Sequence, residues 1–265
     1  MKTSLLLVFL AFGHLKAERI VIAGSDTPGA KMVPQLKEGW LKEGNSADFE
    51  IAAEGSSQAF TTLLAGTADI GMASRKVKET ELAMFRKRGL ELKEHIAAWD
   101  MIALVVHEKN PVKSLTLKQV EGIFTGEITD WKELGGEPGR ISAYTRNTAS
   151  GTYKSFQKLA MSGRDYGKRS QKMGASEQPA SEVAGNINGI AYVGLAYVRK
   201  EGVSAVKING GFPDPAKKAK YPLSRKLYYY TAGEPTGEVK KFLDWAIHSR
   251  KAKEIVEKVG FIPVD

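Results

Sequence analysis

Residues 141–160, Ile141-Ser142-Ala143-Tyr144-Thr145-Arg146-Asn147-Thr148-Ala149-Ser150-Gly151-Thr152-Tyr153-Lys154-Ser155-Phe156-Gln157-Lys158-Leu159-Ala160, read as a strand, a turn of small polar residues and a helix. Ile141 to Thr145 is β-like, Asn147 to Gly151 is the turn, and Tyr153, Phe156 and Ala160 recur on one helical face. The same order occurs near the start of the chain. There the strand Ile20–Ala23 runs into Gly24-Ser25-Asp26-Thr27-Pro28-Gly29, and Met32, Val33, Leu36 and Trp40 then form an apolar stripe. It occurs again where Phe49–Ala53 leads through Gly55-Ser56-Ser57 to Ala59, Phe60, Leu63 and Leu64. Alternating short strands and amphipathic helices specify an α/β fold.

Outward from these units, Ala68–Ala73 reads as a further strand, and Ile96–His107 as a long extended run interrupted by Asp100. Thr116-Leu117-Lys118-Gln119 fits a capping box opening a helix that buries Val120, Ile123 and Phe124. Ile190–Val198 is expected as strand, Gly210–Pro215 as loop, Leu227–Thr231 as a return strand and Val239–Val259 as one helix. A length of 265 residues favours two compact units. We therefore expect one lobe from 18–101 plus 227–265 and a second from 102–226, with two crossing strands as the hinge.

Composition narrows the chemistry. The 42% hydrophobic and 26% charged content is that of a globular chain, and zero cysteines exclude disulfides, thiolate metal sites, cysteine nucleophiles and lipid attachment through cysteine. Met1–Ala17 reads as a secretory signal: Lys2 is the basic start, Ser4–Phe12 the apolar stretch and Ala17 the small residue at the cleavage point. Its removal takes Lys2 and Lys16 and no acid, so the formal charge falls only from +9 to +7. The expected product is a basic, exported, periplasmic protein without a lipid anchor.

Gly24-Ser25-Asp26-Thr27, Gly55-Ser56-Ser57 and Ser150-Gly151-Thr152 each put hydroxyls and small residues at a helix start, where free N–H groups and the dipole favour an anion. One such turn is an ordinary N-cap. Three, divided between the expected lobes, point to a ligand held between them. Ser74-Arg75 and Arg146 flank these turns, and a guanidinium offers a planar fork to two oxygens of a tetrahedral anion.

Arg146-Asn147-Thr148-Ala149-Ser150-Gly151-Thr152 resembles the arginine, three-residue spacer, Ser-Gly-Thr motif of the phosphate-binding proteins of bacterial ABC phosphate importers. That family has the two-lobed periplasmic binding-protein fold, and the resemblance extends from the export signal to the last helix. It implies phosphate held by Arg146, Ser150, Gly151 and Thr152, with Ser25 and Thr27 in a first loop and Ser56 in a second. Ser74 and Arg75 complete the expected set. It further implies delivery to a membrane permease by a monomer that catalyses nothing and needs no cofactor. Ile123–Trp131 is similar to another signature of the family, a structural one.

One position departs from the pattern. Many members have Gly-Ala-Ser-Asp where this chain reads Gly71-Met72-Ala73-Ser74-Arg75, and their aspartate accepts a hydrogen bond from the proton that phosphate retains. Asp26 is the candidate replacement, with an N-cap role as the competing reading. The rival functions are a binder or sensor of another oxyanion, a periplasmic phosphatase and, third, a nucleic-acid binder. His95, His107 and His248 lack metal-ligand spacing, no nucleophile elbow occurs, and Tyr228-Tyr229-Tyr230 reads as strand packing rather than a base-stacking platform.

Overall fold

The computed structural model describes residues 18–265. The expected signal at 1–17 lies outside them. The first half of the chain supplies β1 (Arg19–Gly24), α1 (Asp26–Gly29), α2 (Met32–Lys42), β2 (Asp48–Ala52), α3 (Ser56–Ala65), β3 (Ile70–Ala73), α4 (Glu79–Lys87) and the long β4 (Leu92–His107). There follow β5 (Ser114–Leu115), α5 (Leu117–Thr125), β6 (Ser142–Arg146), α6 (Gly151–Ala160), β7 (Gln171–Met173), α7 (Gln178–Ala184), β8 (Gly189–Gly194) and β9 (Val203–Ile208). The chain closes with β10 (Ser224–Ala232), α8 (Gly237–His248) and α9 (Arg250–Lys258).

The strands run in the order β2-β1-β3-β10-β4-β8-β6-β7, with β9 pairing β4 and β5. This sheet has two parts. In the first, β1 lies parallel between β2 and β3, and β10 runs antiparallel to β3 and to β4 from Leu92 to Met101. In the second, β4 from Ile102 onward pairs antiparallel with β8 and β9, while β6 lies parallel to β8 and β7. The stretch Met101–Val106 is fully buried, consistent with its unbroken apolar run Met-Ile-Ala-Leu-Val-Val. Phe156 stacks on Tyr192 and meets Phe124 edge to face in the core of the second part, while Trp40 and Phe242 pack edge to face in that of the first.

The expected strand and helix of each of the three repeated units form. Thr116 and Gln119 make the capping box at the start of α5. Two expectations are corrected. The strand from Ile190 stops at Gly194, and Leu195–Tyr197 turns as a 3₁₀ helix because the Leu195 N–H leaves the ladder for the Asp100 carboxylate, 3.0 Å away. The single C-terminal helix is two: Ser249, extended at ψ 144°, ends α8 and caps α9 by accepting the Ala252 N–H at 3.0 Å. Sequence reading also missed α4, α7, β7 and β9.

Candidate functional site

Each of the three small-residue turns is built by local constraints. Gly24 has φ 133°, and a Cβ there would collide with the Met72 carbonyl and stand 2.8 Å from Ala59 Cβ. This lets the Ser25 N–H donate to Met72 O at 2.7 Å, locking the turn onto β3. Ser25, not Asp26, is the N-cap of α1, its Oγ accepting the Thr27 N–H at 3.3 Å. In the third turn Ser150 caps α6 by accepting the Tyr153 N–H, and Asn147 Oδ1 accepts the Ala149 and Ser150 N–H groups at 3.1 Å each.

These turns meet. Ser25 Oγ donates to Ser74 Oγ at 2.9 Å, Ser56 Oγ lies 3.3 Å from Ser74 Oγ, and the Ser74 N–H donates to Ser56 Oγ at 3.0 Å. Thr27 and Thr152, 125 residues apart, join hydroxyls at 2.8 Å. Gly151 sits against the serines so closely that a Cβ there would overlap Ser56 Oγ and stand 2.5 Å from Ser74 Oγ. The Ser57 N–H donates to Ala149 O at 3.3 Å, and Gly55 leaves room for that carbonyl. Ser25, Thr27, Ser56, Ser74, Ser150 and Thr152 are all buried. The result is one hydroxyl and amide cluster supplied by both parts of the sheet.

Arg146 ends β6, its own N–H donating to the Tyr192 hydroxyl at 3.2 Å. The guanidinium is 2% exposed as a residue. It donates from Nη1 to Ser176 Oγ and from Nη2 to Gly174 O at 2.6 Å, with Asp26 Oδ2 3.5 Å from Nη2. Among the described residues Nε has no hydrogen-bond partner. Burial pushes the Arg146 pKa down, and the Asp26 carboxylate opposes that shift. Asp26 Oδ2 also accepts the Ser176 N–H at 2.6 Å, so the acid bridges the first turn to the Arg146 side. The Tyr197 hydroxyl donates to Thr27 O at 2.8 Å and fixes α1 from below, and its own loss of a proton is disfavoured by burial.

Arg75, expected among the ligand residues, has its guanidinium paired within the protein. Its fork closes on Glu81 at 2.6 and 2.8 Å, with the guanidinium 5.0 Å from the Phe60 ring. Glu81 is held in place by the Lys78 N–H at 2.9 Å, so the arginine meets a fixed carboxylate beside its own strand end. Ser25, Thr27, Ser56, Ser74, Gly151 and Thr152 come together, with Arg146 and Asp26 adjoining them. Arg75 is paired with Glu81 and reaches the second turn only at Ser57 Oγ, 3.5 Å from Nη2. Gly174, Ser176 and Tyr197 were missed by the sequence reading. Gly174-Ala175-Ser176 carries the same signal as the other turns, a glycine and a hydroxyl shortly before a helix.

A model of the PBP superfamily domain matches residues 14–250. Among curated proteins, the phosphate-binding protein PstS of Pseudomonas aeruginosa is 31% identical over 268 aligned positions, covering 91% of this chain and 81% of that one. PstS of Bacillus subtilis is 29% identical, covering 96% and 84%. Among solved structures, a Clostridium perfringens protein assigned as a phosphate ABC transporter substrate-binding protein, with phosphate bound, is 35% identical with TM-score 0.83, covering 94% of this chain and all of that one. An ABC-type phosphate transport receptor from Vibrio cholerae is 27% identical with TM-score 0.74, covering 92% of this chain.

Proposed function

Because the chain belongs to the PstS family of phosphate-binding proteins, within the PBP superfamily, we propose that it captures inorganic phosphate in the cleft between its two lobes and hands it to the membrane permease of an ABC importer. The lobes are 18–101 plus 227–265 and 102–226, joined by β4 and β10. The observation that carries this reading is the convergence of three helix-start turns, with Thr27 and Thr152 in contact across the cleft and Arg146 buried beside them.

In this reading Ser25, Thr27, Ser56, Ser74, Ser150 and Thr152 offer hydroxyls, the Gly151 and Thr152 amides open α6, and Arg146 supplies charge-assisted bonds. Such bonds net about 1.5–3 kcal/mol each. Asp26 accepts a hydrogen bond from the proton that phosphate keeps near neutral pH and sulfate lacks, so an unpaired buried acceptor would reject sulfate. Phosphate stabilises the closed arrangement by binding it more tightly than the open one. In this reading the protein works outside the cytoplasm as a monomer and releases its phosphate unchanged, with the cluster hydroxyls, which bond one another at 2.8–3.3 Å, serving as ligand donors.

Isothermal titration calorimetry with phosphate and with sulfate tests the reading. One saturable phosphate site, weak or absent sulfate heat and loss of the phosphate signal in Arg146→Ala are expected. Turnover of a phosphate ester by the pure protein, or equal binding of sulfate, would refute it.

A further inference from the structure

The carbonyl of Ser74 lies behind the hydroxyl cluster, and two donors from distant parts of the chain converge on it. Arg225 Nη1 of β10 donates at 3.2 Å, and Ser155 Oγ of α6 donates at 2.9 Å. Arg225 is in turn fixed by Asp100, its register partner on β4, whose Oδ2 accepts from Nε at 3.0 Å and from Nη2 at 2.7 Å. Asp100 is fully buried and Arg225 nearly so. The second carboxylate oxygen accepts the Leu195 N–H at 3.0 Å. A Cβ at Gly194 would stand 3.0 Å from that carboxylate, so the end of β8 is shaped to fit the acid.

This pair occupies the step where both connecting strands pass between the two parts of the sheet: Arg225 faces Asp100, and one position on, Ser224 faces Met101 before Ile102 begins the pairing with β8. A buried ion pair is weak evidence of stabilisation by itself. Its value here is in its reach. One guanidinium spans from a strand of the hinge to the peptide of Ser74, and one carboxylate spans from the same hinge to the turn at Leu195.

We infer that Asp100 and Arg225 are positioning residues for ligand capture: they fix the Ser74 peptide, and through it the Ser25, Ser56 and Ser74 hydroxyls, in register with closure of the lobes. Ser155 adds the second half of the lock, because its hydroxyl reaches the Ser74 carbonyl only when α6 lies against β3. This rests on the phosphate reading for its ligand but not for its mechanics.

The test uses Arg225→Lys and Ser155→Ala, singly and together. Lysine keeps the charge opposite Asp100 but lacks the planar fork needed to hold Asp100 and the Ser74 carbonyl at once. Phosphate affinity should fall about tenfold in Arg225→Lys, with the melting temperature of the ligand-free protein nearly unchanged. The double variant should lose less than the product of the two single losses, since both donors serve one oxygen. Independent, multiplicative losses would overturn the proposal, as would unchanged affinity. Should Arg225→Lys fail to fold, Asp100→Asn combined with Ser155→Ala gives the same cycle. Closure is followed separately by dyes on Thr61→Cys and Lys158→Cys, clean labelling sites because the chain has no cysteine. Those dyes should report a more open resting state in Arg225→Lys, and an unchanged distance would count against the hinge role even if the unaltered protein bound sulfate instead of phosphate. Failure of the unaltered protein to bind phosphate would sink the phosphate reading alone.

Discussion

Arg75 and Arg146 each come at or just after the end of a strand and beside small hydroxyl-bearing residues, and both become buried. Their surroundings differ in one respect. Arg75 meets a carboxylate through both arms of its fork. Arg146 meets a hydroxyl, a backbone carbonyl and a carboxylate no closer than 3.5 Å, and its Nε is unpartnered. A buried arginine whose charge is already matched at contact distance has little left for a ligand. One held mainly by neutral acceptors keeps its field, and a tetrahedral anion can complete it. Proximity to the cluster therefore matters less than the strength of the partner already present.

That contrast is open to direct measurement. The largest effect should come from Arg146→Ala, which removes the charged fork: phosphate affinity by calorimetry is expected to drop about a hundredfold or more, the equivalent of two lost charge-assisted bonds. Gly151→Ala forces a methyl into the space of Ser56 Oγ and Ser74 Oγ, and an affinity loss of about tenfold follows from overpacking the closed cleft. Asp26→Asn sharpens the comparison from the acid side. It should leave phosphate bound while narrowing the preference over sulfate by roughly tenfold, and an unchanged preference would rule Asp26 out as the proton acceptor. The smallest change in binding belongs to Arg75→Gln, within about threefold. Urea unfolding of that variant should nevertheless show a stability loss of about 3 kcal/mol, because Glu81 is left without its partner. A large affinity loss in Arg75→Gln would break the distinction between the two arginines.

The elements that sequence reading located share a strong periodic signal. α2 buries Met32, Val33, Leu36 and Trp40, and α5 buries Val120, Ile123 and Phe124, all named from spacing. Those it missed are weakly patterned. α4 buries only Phe85 among nine residues, and β7 is the exposed edge segment Gln-Lys-Met. The start of β4 escaped for the same reason, since Leu92-Lys93-Glu94-His95 is only partly covered. Most residues of the candidate site were legible because their turns are local objects in which a glycine, a hydroxyl and a helix start are neighbours in the chain. Ser176 lay in a turn of the same type and was passed over, for its contact with Asp26 spans 150 residues.

By itself the sequence determined the alternation of strands and helices, the positions of the turns and the supply of hydroxyls and cations near them, since each is set by backbone sterics and hydrogen bonds between residues a few positions apart. Only the tertiary structure decided which arginine closes on a carboxylate at hydrogen-bond distance, that Ser25 rather than Asp26 caps α1, and that Asp100 faces Arg225 where the strands cross. Charge pairing in a buried setting depends on distances of a few ångströms between groups as much as 125 residues apart, and those distances are fixed by how the sheet is assembled.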